Sequence, residues 1–135
     1  MVISEHYEAI WVVAQRELKA VGIAKSSYHP PILTLYRSLG WQVRPPHYNS
    51  FLSNIVLFGL PFGIMMFFAI ALRFVGLHFL LWISLSLLLT IVAGLLFGLG
   101  MAGYYKFSAY INRLSTWEEL ALTAPLNARP PEPWF

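Results

Sequence analysis

From Pro45 to Leu72, and again from Phe74 to Tyr105, the chain carries no Asp, Glu, Lys or Arg, so Arg73 is the single charge in an otherwise apolar stretch. A bilayer core about 30 Å thick needs roughly 20 apolar helical residues, and both runs exceed that. Spans are predicted at 51–72 and 77–105, about 33 Å and about 43 Å long at 1.5 Å per residue. The second must tilt or protrude, and the helix is expected to continue toward Arg113 along the membrane surface. Both runs are apolar on every face rather than along one stripe, which argues against a buried helix pair in a soluble domain. The predicted fold class is an all-α membrane protein. A two-span transmembrane helical hairpin (51–105) is flanked by short cytoplasmic amphipathic helices in 1–50 and 106–135.

Before the hairpin, Tyr7, Ile10, Trp11, Ala14, Leu18 and Val21 recur three or four apart, while Glu8, Gln15, Arg16 and Lys19 take other faces. Ser4 suits an N-cap, Glu5 and Glu8 follow in the first turn, and Lys19 precedes Gly22, all matching the polarity of a helix. A helix is therefore predicted over Glu5–Val21, its stripe docked in a small core or lying in the membrane interface. After a linker over 23–29, Pro30-Pro31 pre-set a short helix ending at Leu39-Gly40, with Ile32, Leu35, Tyr36 and Leu39 as an apolar face that needs the first helix or lipid as its partner. Trp41 to Tyr48, stiffened by Pro45-Pro46, reads as an extended approach. Asn49 or Ser50 can cap the first span. Beyond the hairpin, Ser115-Thr-Trp-Glu118 has capping-box spacing, with Ser115 serving the Glu118 amide. Pro125 ends that helix, and the proline-rich tail to Phe135 is not helical. These flanking pieces are too small to fold separately, so Tyr7, Trp11, Leu18, Leu35, Tyr36, Trp41, Trp117 and Leu120 are expected to form one cluster against the membrane.

Within the spans, Gly59 and Gly63, on either side of a Pro61 expected to bend the helix, and the four-apart series Gly94, Gly98, Ala102 are the predicted helix-packing residues, because small side chains let lipid-embedded backbones approach closely. They serve either the two arms of the hairpin or two copies in a homo-oligomer. Ser53, Asn54, Ser84, Ser86 and Thr90 read as hydrogen-bonding groups between helices. A literal G-x-G-x-x-G at Gly98–Gly103 lies inside an uncharged helix, without the strand that a dinucleotide fold requires, and is a chance match.

At 135 residues there is room for one domain and none for a separate catalytic one. The lack of cysteine excludes disulfides and thiol chemistry. Met1-Val-Ile-Ser-Glu5 lacks the basic start of a signal peptide, so a retained N-terminus is expected. The net charge of +3 is sparse and flanks the spans, unlike a nucleic-acid footprint. Arg37, Arg44, Lys106 and Arg113 flank the hairpin on its outer ends against Arg73 in the connection, which predicts both termini in the cytoplasm. His29 and His47 sit in mirrored steps, Tyr28-His29-Pro30-Pro31 and Pro45-Pro46-His47-Tyr48. With Glu118 and Glu119 they lack metal-ligand spacing and read as turn or interface residues. No catalytic residue, metal or cofactor is predicted. The candidate interaction residues are Trp11, His29, Trp41, His47 and Trp117.

Pro30-Pro31 with Leu35 and Leu39-Gly40, the step Pro45-Pro46-His47-Tyr48, the Phe- and Gly-rich first span, and Ser115-Thr-Trp117-Glu118 together resemble an uncharacterised family of small bacterial two-helix inner-membrane proteins, over about residues 15–122. The resemblance implies a fold and an inner-membrane setting, and no activity. The expected function is therefore non-enzymatic: a small accessory, regulatory or immunity-like subunit in the lipid bilayer, acting through a membrane protein partner or as a homo-oligomer. The alternative is a protomer of an oligomeric transporter or channel, which the uncharged spans disfavour.

Overall fold

Residues 5–124 are described by the structure, a computed structural model, and every regular element among them is helical. The order is α1 (Glu5–Ala20), α2 (Lys25–Tyr28), α3 (Pro31–Ser38), a 3₁₀ turn (Pro46–Tyr48), α4 (Phe51–Arg73), α5 (Phe79–Ile111) and α6 (Trp117–Thr123). The Ser4 cap and the tail from Pro125 lie outside the described residues. Contacts divide the chain into two units: the flanking segments up to Asn49 and from Phe107 onward, and the segment Ser50–Lys106.

Helix ends follow local chemistry. After α1, Gly22 at φ 81° lets its amide reach the Lys19 carbonyl and the Ile23 amide reach Leu18; Gly40 at φ 83° does the same after α3. These paired bonds are Schellman closures, which need a left-handed residue that glycine adopts without steric cost. α5 closes in the same way without a glycine. Arg113 takes φ 51°, its amide meets the Tyr110 carbonyl, and the Leu114 amide meets Ala109. At the start of α4, the Ser50 hydroxyl, not Asn49, accepts the Ser53 amide at 3.2 Å.

The flanking unit packs α1 against α6. Tyr7, Trp11, Ala14 and Leu18 are buried along one α1 stripe with Tyr28, Leu33, Tyr48, Trp117 and Leu120. The Trp117 ring lies 5.9 Å from Tyr7 and 6.3 Å from Tyr48. Two expectations are corrected. The predicted apolar face of α3 is turned outward: Leu35 and Leu39 are 53% and 57% exposed, and Trp41 is 52% exposed, while Leu33 is buried. The cause is Arg37, one helical turn beyond Leu33. Its guanidinium lies 4.8 Å from the Trp11 ring and bonds Glu8 at 2.7 Å, and that combined ion pair and cation–π contact turns the Leu33–Arg37 edge inward. The capping box is also displaced by one residue. Thr116 accepts the Glu119 amide at 3.2 Å, and Glu119 accepts the Thr116 amide at 2.9 Å. Ser115 is engaged elsewhere, its amide donating to Glu17 at 2.7 Å.

The second unit is the α4–α5 hairpin. Both helices are long and apolar enough to cross a membrane. α5 is one continuous helix of 33 residues, about 50 Å long, and α4 continues through Pro61.

Candidate functional site

In the flanking unit, polar side chains converge on one carbonyl. Val43, in the segment after α3, accepts the Tyr7 hydroxyl and the Trp11 indole N–H, the latter at 3.1 Å. This ties the loop before the 3₁₀ turn to α1. His29 lies edge-on to Trp11 at 5.9 Å, delivered there by α2, which occupies the stretch expected to be linker. His47 is carried by the 3₁₀ turn between Pro46 and Tyr48, all three buried. Glu119 is spent on its capping box, and Glu118 lies on the exposed side, 3.3 Å from Arg44. The two histidines and two glutamates therefore make no common site, and no three His, Asp or Glu side chains among the described residues converge as metal ligands.

Burial sets the proton affinities here. Loss of hydration disfavours imidazolium and holds His47 down to about 4; His29 is lowered by burial and then by the nearby Arg37 charge. Burial raises Tyr7 and Tyr48. Because the native imidazoles resist a proton that the unfolded chain accepts near 6.5, stability is complete above that pH and is lost as pH falls toward 4. For His47 alone the loss should approach about 3 kcal/mol. Chemical unfolding at pH 7, 5.5 and 4.5 should show this slope, and His47→Gln should flatten it. An unchanged slope in that variant would remove His47 as its source.

Of the five candidate interaction residues, Trp11 is fully enclosed and His29, His47 and Trp117 are buried, so their surfaces are used inside the fold. Only Trp41 is exposed. It stacks on Tyr36 with ring centres 5.2 Å apart and an interplanar angle of 16°. With Leu35 and Leu39 it forms an apolar ridge. The periodicity of α3 picks out Leu35 and Leu39 as part of an apolar face, and Leu35 and Trp41 are expected in the flanking cluster, whereas all three are exposed.

In the hairpin the small residues meet within one chain. A Cβ on Gly59 would stand 2.7 Å from the Gly94 carbonyl oxygen, one on Gly94 3.0 Å from the Gly59 oxygen, and one on Gly98 2.6 Å from the Ile55 oxygen. Gly63 faces Gly94 with room for a methyl group, its Cβ falling 3.8 Å from the Gly94 Cα. Ala102 and Ser86 of α5 are also fully buried. Phe62 stacks on Phe97 at 4.1 Å and Phe58 on Tyr105 at 5.3 Å. Near the connection, the Trp82 indole donates to the Ala71 carbonyl at 2.8 Å. Beside this seam both helices line an apolar groove of about 510 Å³, with Val56, Leu60 and Ile64 on one wall and Ile91 and Leu95 on the other. The Lys106 ammonium lies 5.6 Å from the centre of the Phe51 ring.

No curated protein and no solved structure matches the sequence. A family match does extend from α1 into α6, taking in the aromatic core, the glycine seam and the groove alike. Over residues 5–120 the chain matches, and it belongs to, the family of unknown function DUF6404.

Proposed function

We propose that this protein is a two-span protein of a bacterial inner membrane with both termini cytoplasmic, acting without catalysis as a small accessory or regulatory subunit. Its flanking unit would bind another membrane protein. The spanning reading is supported by surface chemistry: only 28% and 11% of the most apolar windows of α4 and α5 are buried within the chain. In water that would leave an apolar patch far beyond the few hundred Å² a soluble monomer exposes. The excess of Lys and Arg outside the hairpin supports the orientation.

The interaction reading is carried by the ridge of Leu35, Leu39 and Trp41. The flanking unit commits Glu8, Glu17, Arg37, Tyr7 and Trp11 to its own framework, yet leaves these three large apolar groups exposed together. Trp and clustered aliphatic groups are the side chains that anchor protein interfaces. The double variant Leu35→Ser, Trp41→Ser should keep thermal stability within about 0.5 kcal/mol, as surface changes do, and should lose a stoichiometric membrane protein that the native chain retains. Leu122→Ser, at a site 88% exposed on α6, should keep it. Equal retention by all three proteins would refute the ridge as the docking surface. Reporter fusions at the C-terminus and in the connection around Gly76 test the orientation, and activity of an extracytoplasmic reporter at the C-terminus would invert it.

A further inference from the structure

We propose that the groove beside the α4–α5 seam holds one acyl chain of an anionic phospholipid, with the lipid phosphate seated on Lys106. This rests on the reading that the hairpin spans a bilayer. Along α4 the groove runs from Ile55 to Phe68, about 20 Å at 1.5 Å per residue, and one leaflet of hydrocarbon is about 15 Å deep. The groove is thus longer than one leaflet is deep, and the chain of a lipid entering at the Ile55 end occupies the part of it nearest that end. Its walls are aliphatic and aromatic, with Thr90 the only hydroxyl side chain among them. In a bilayer such a concavity fills with hydrocarbon, because an empty one forfeits the dispersion contacts of its lining.

Charge decides which lipid and which leaflet. Lys106 follows Leu95 by eleven residues, about three helical turns, and so rises above the same wall of the groove. Its stem carries the ammonium back over the Phe51 ring, one turn of α4 before Ile55. The cation thus stands at the end of the groove where a headgroup would lie, as lysines near helix ends do. The only other charge between Ser50 and Lys106 is Arg73, at the far end of α4, and every acidic residue lies at or before Glu17 or at or after Glu118. A phosphate at Lys106 meets a cation with no carboxylate in the hairpin to compete for it.

The test uses the full chain in phosphatidylcholine nanodiscs doped with a phosphatidylglycerol probe carrying a photoreactive group on one acyl chain. Peptide mapping should place the label on Leu60, Ile91 and Leu95 in preference to Leu88 and Leu96, which are exposed outside the groove. Lys106→Gln should lower this labelling about fivefold, the effect of one basic contact with an anionic lipid surface, and leave labelling by a phosphatidylcholine probe unchanged. Leu60→Trp, which fills the groove, should abolish groove labelling by both. Even labelling of all exposed positions would mean adventitious lipid only, and groove labelling found in nanodiscs that hold one copy but lost in those that hold two would mean a second copy occupies the groove; either result overturns the proposal. Extraction with alkaline carbonate separates the two readings. Release of the protein from native membranes refutes the spanning reading, whereas retention without groove labelling refutes the lipid proposal alone.

Discussion

Gly98→Leu should separate the arms of the hairpin and lower its stability by about 3 kcal/mol or more, the upper range for overpacking a tight contact. The first added carbon would stand 2.6 Å from the Ile55 carbonyl oxygen and 3.2 Å from the Ile55 Cα. Both are backbone atoms, so no rotamer change relieves the clash and α4 itself has to move. On the proposal that the hairpin spans a bilayer, the parted helices have no hydrophobic force to bring them back, because packing contacts supply most of the attraction between helices in lipid. Gly100→Leu is the control. It lies on the same helix and costs the same change in side chain, but a Cβ there meets nothing within 4 Å. Thermal unfolding in detergent and amide exchange along α4 should distinguish the two variants clearly. Equal behaviour would show that the glycine seam does not hold the hairpin.

Trp11→Ala should be the most damaging single change in the flanking unit, at about 3–5 kcal/mol for emptying a buried aromatic site. The indole is fully enclosed, donates to the Val43 carbonyl, and forms the face on which the Arg37 guanidinium rests. Its removal leaves a cavity and withdraws support from the Glu8–Arg37 pair at once. Because α1 packs against α6, amide protection should fall in α6 as well as in α1, although the two helices stand at opposite ends of the sequence. Trp11→Phe should recover much of the packing but not the bond to Val43. Trp117→Ala, from the other side of the same cluster, should loosen α1 in turn. Protection of α6 that survives Trp11→Ala would mean that the two ends of the chain fold independently of each other.

The sequence by itself determined the elements whose causes are local. Long uncharged runs can only be helices whose apolar surface needs a non-aqueous partner, so α4 and α5 were legible to within a few residues. Gly22 and Gly40 marked the ends of α1 and α3 because a left-handed closing residue is a property of the backbone at one position. The spacing of Gly94, Gly98 and Ala102 likewise marked a surface for close approach. It could not say whether the facing backbone belonged to the same chain, since small residues carry no directional signal. The structure places Gly59 and Ile55 of the same chain there.

Tertiary contacts decided what periodicity could not rank. Ile32, Leu35, Tyr36 and Leu39 have ideal spacing for a buried face, yet Arg37 bonding Glu8, 29 residues earlier, turns α3 so that this face is largely exposed. Ser115 has the spacing of a capping box with Glu118, yet Glu17, distant in sequence, takes the Ser115 amide and the box forms one residue later, between Thr116 and Glu119. His29 and His47 read as turn or interface residues, and the structure buries both, His29 edge-on to the Trp11 ring and His47 within the 3₁₀ turn. For the α3 face and the α6 cap the deciding partner lay far along the chain. A local pattern records which residues are able to pack, whereas only the assembled unit fixes which of them do.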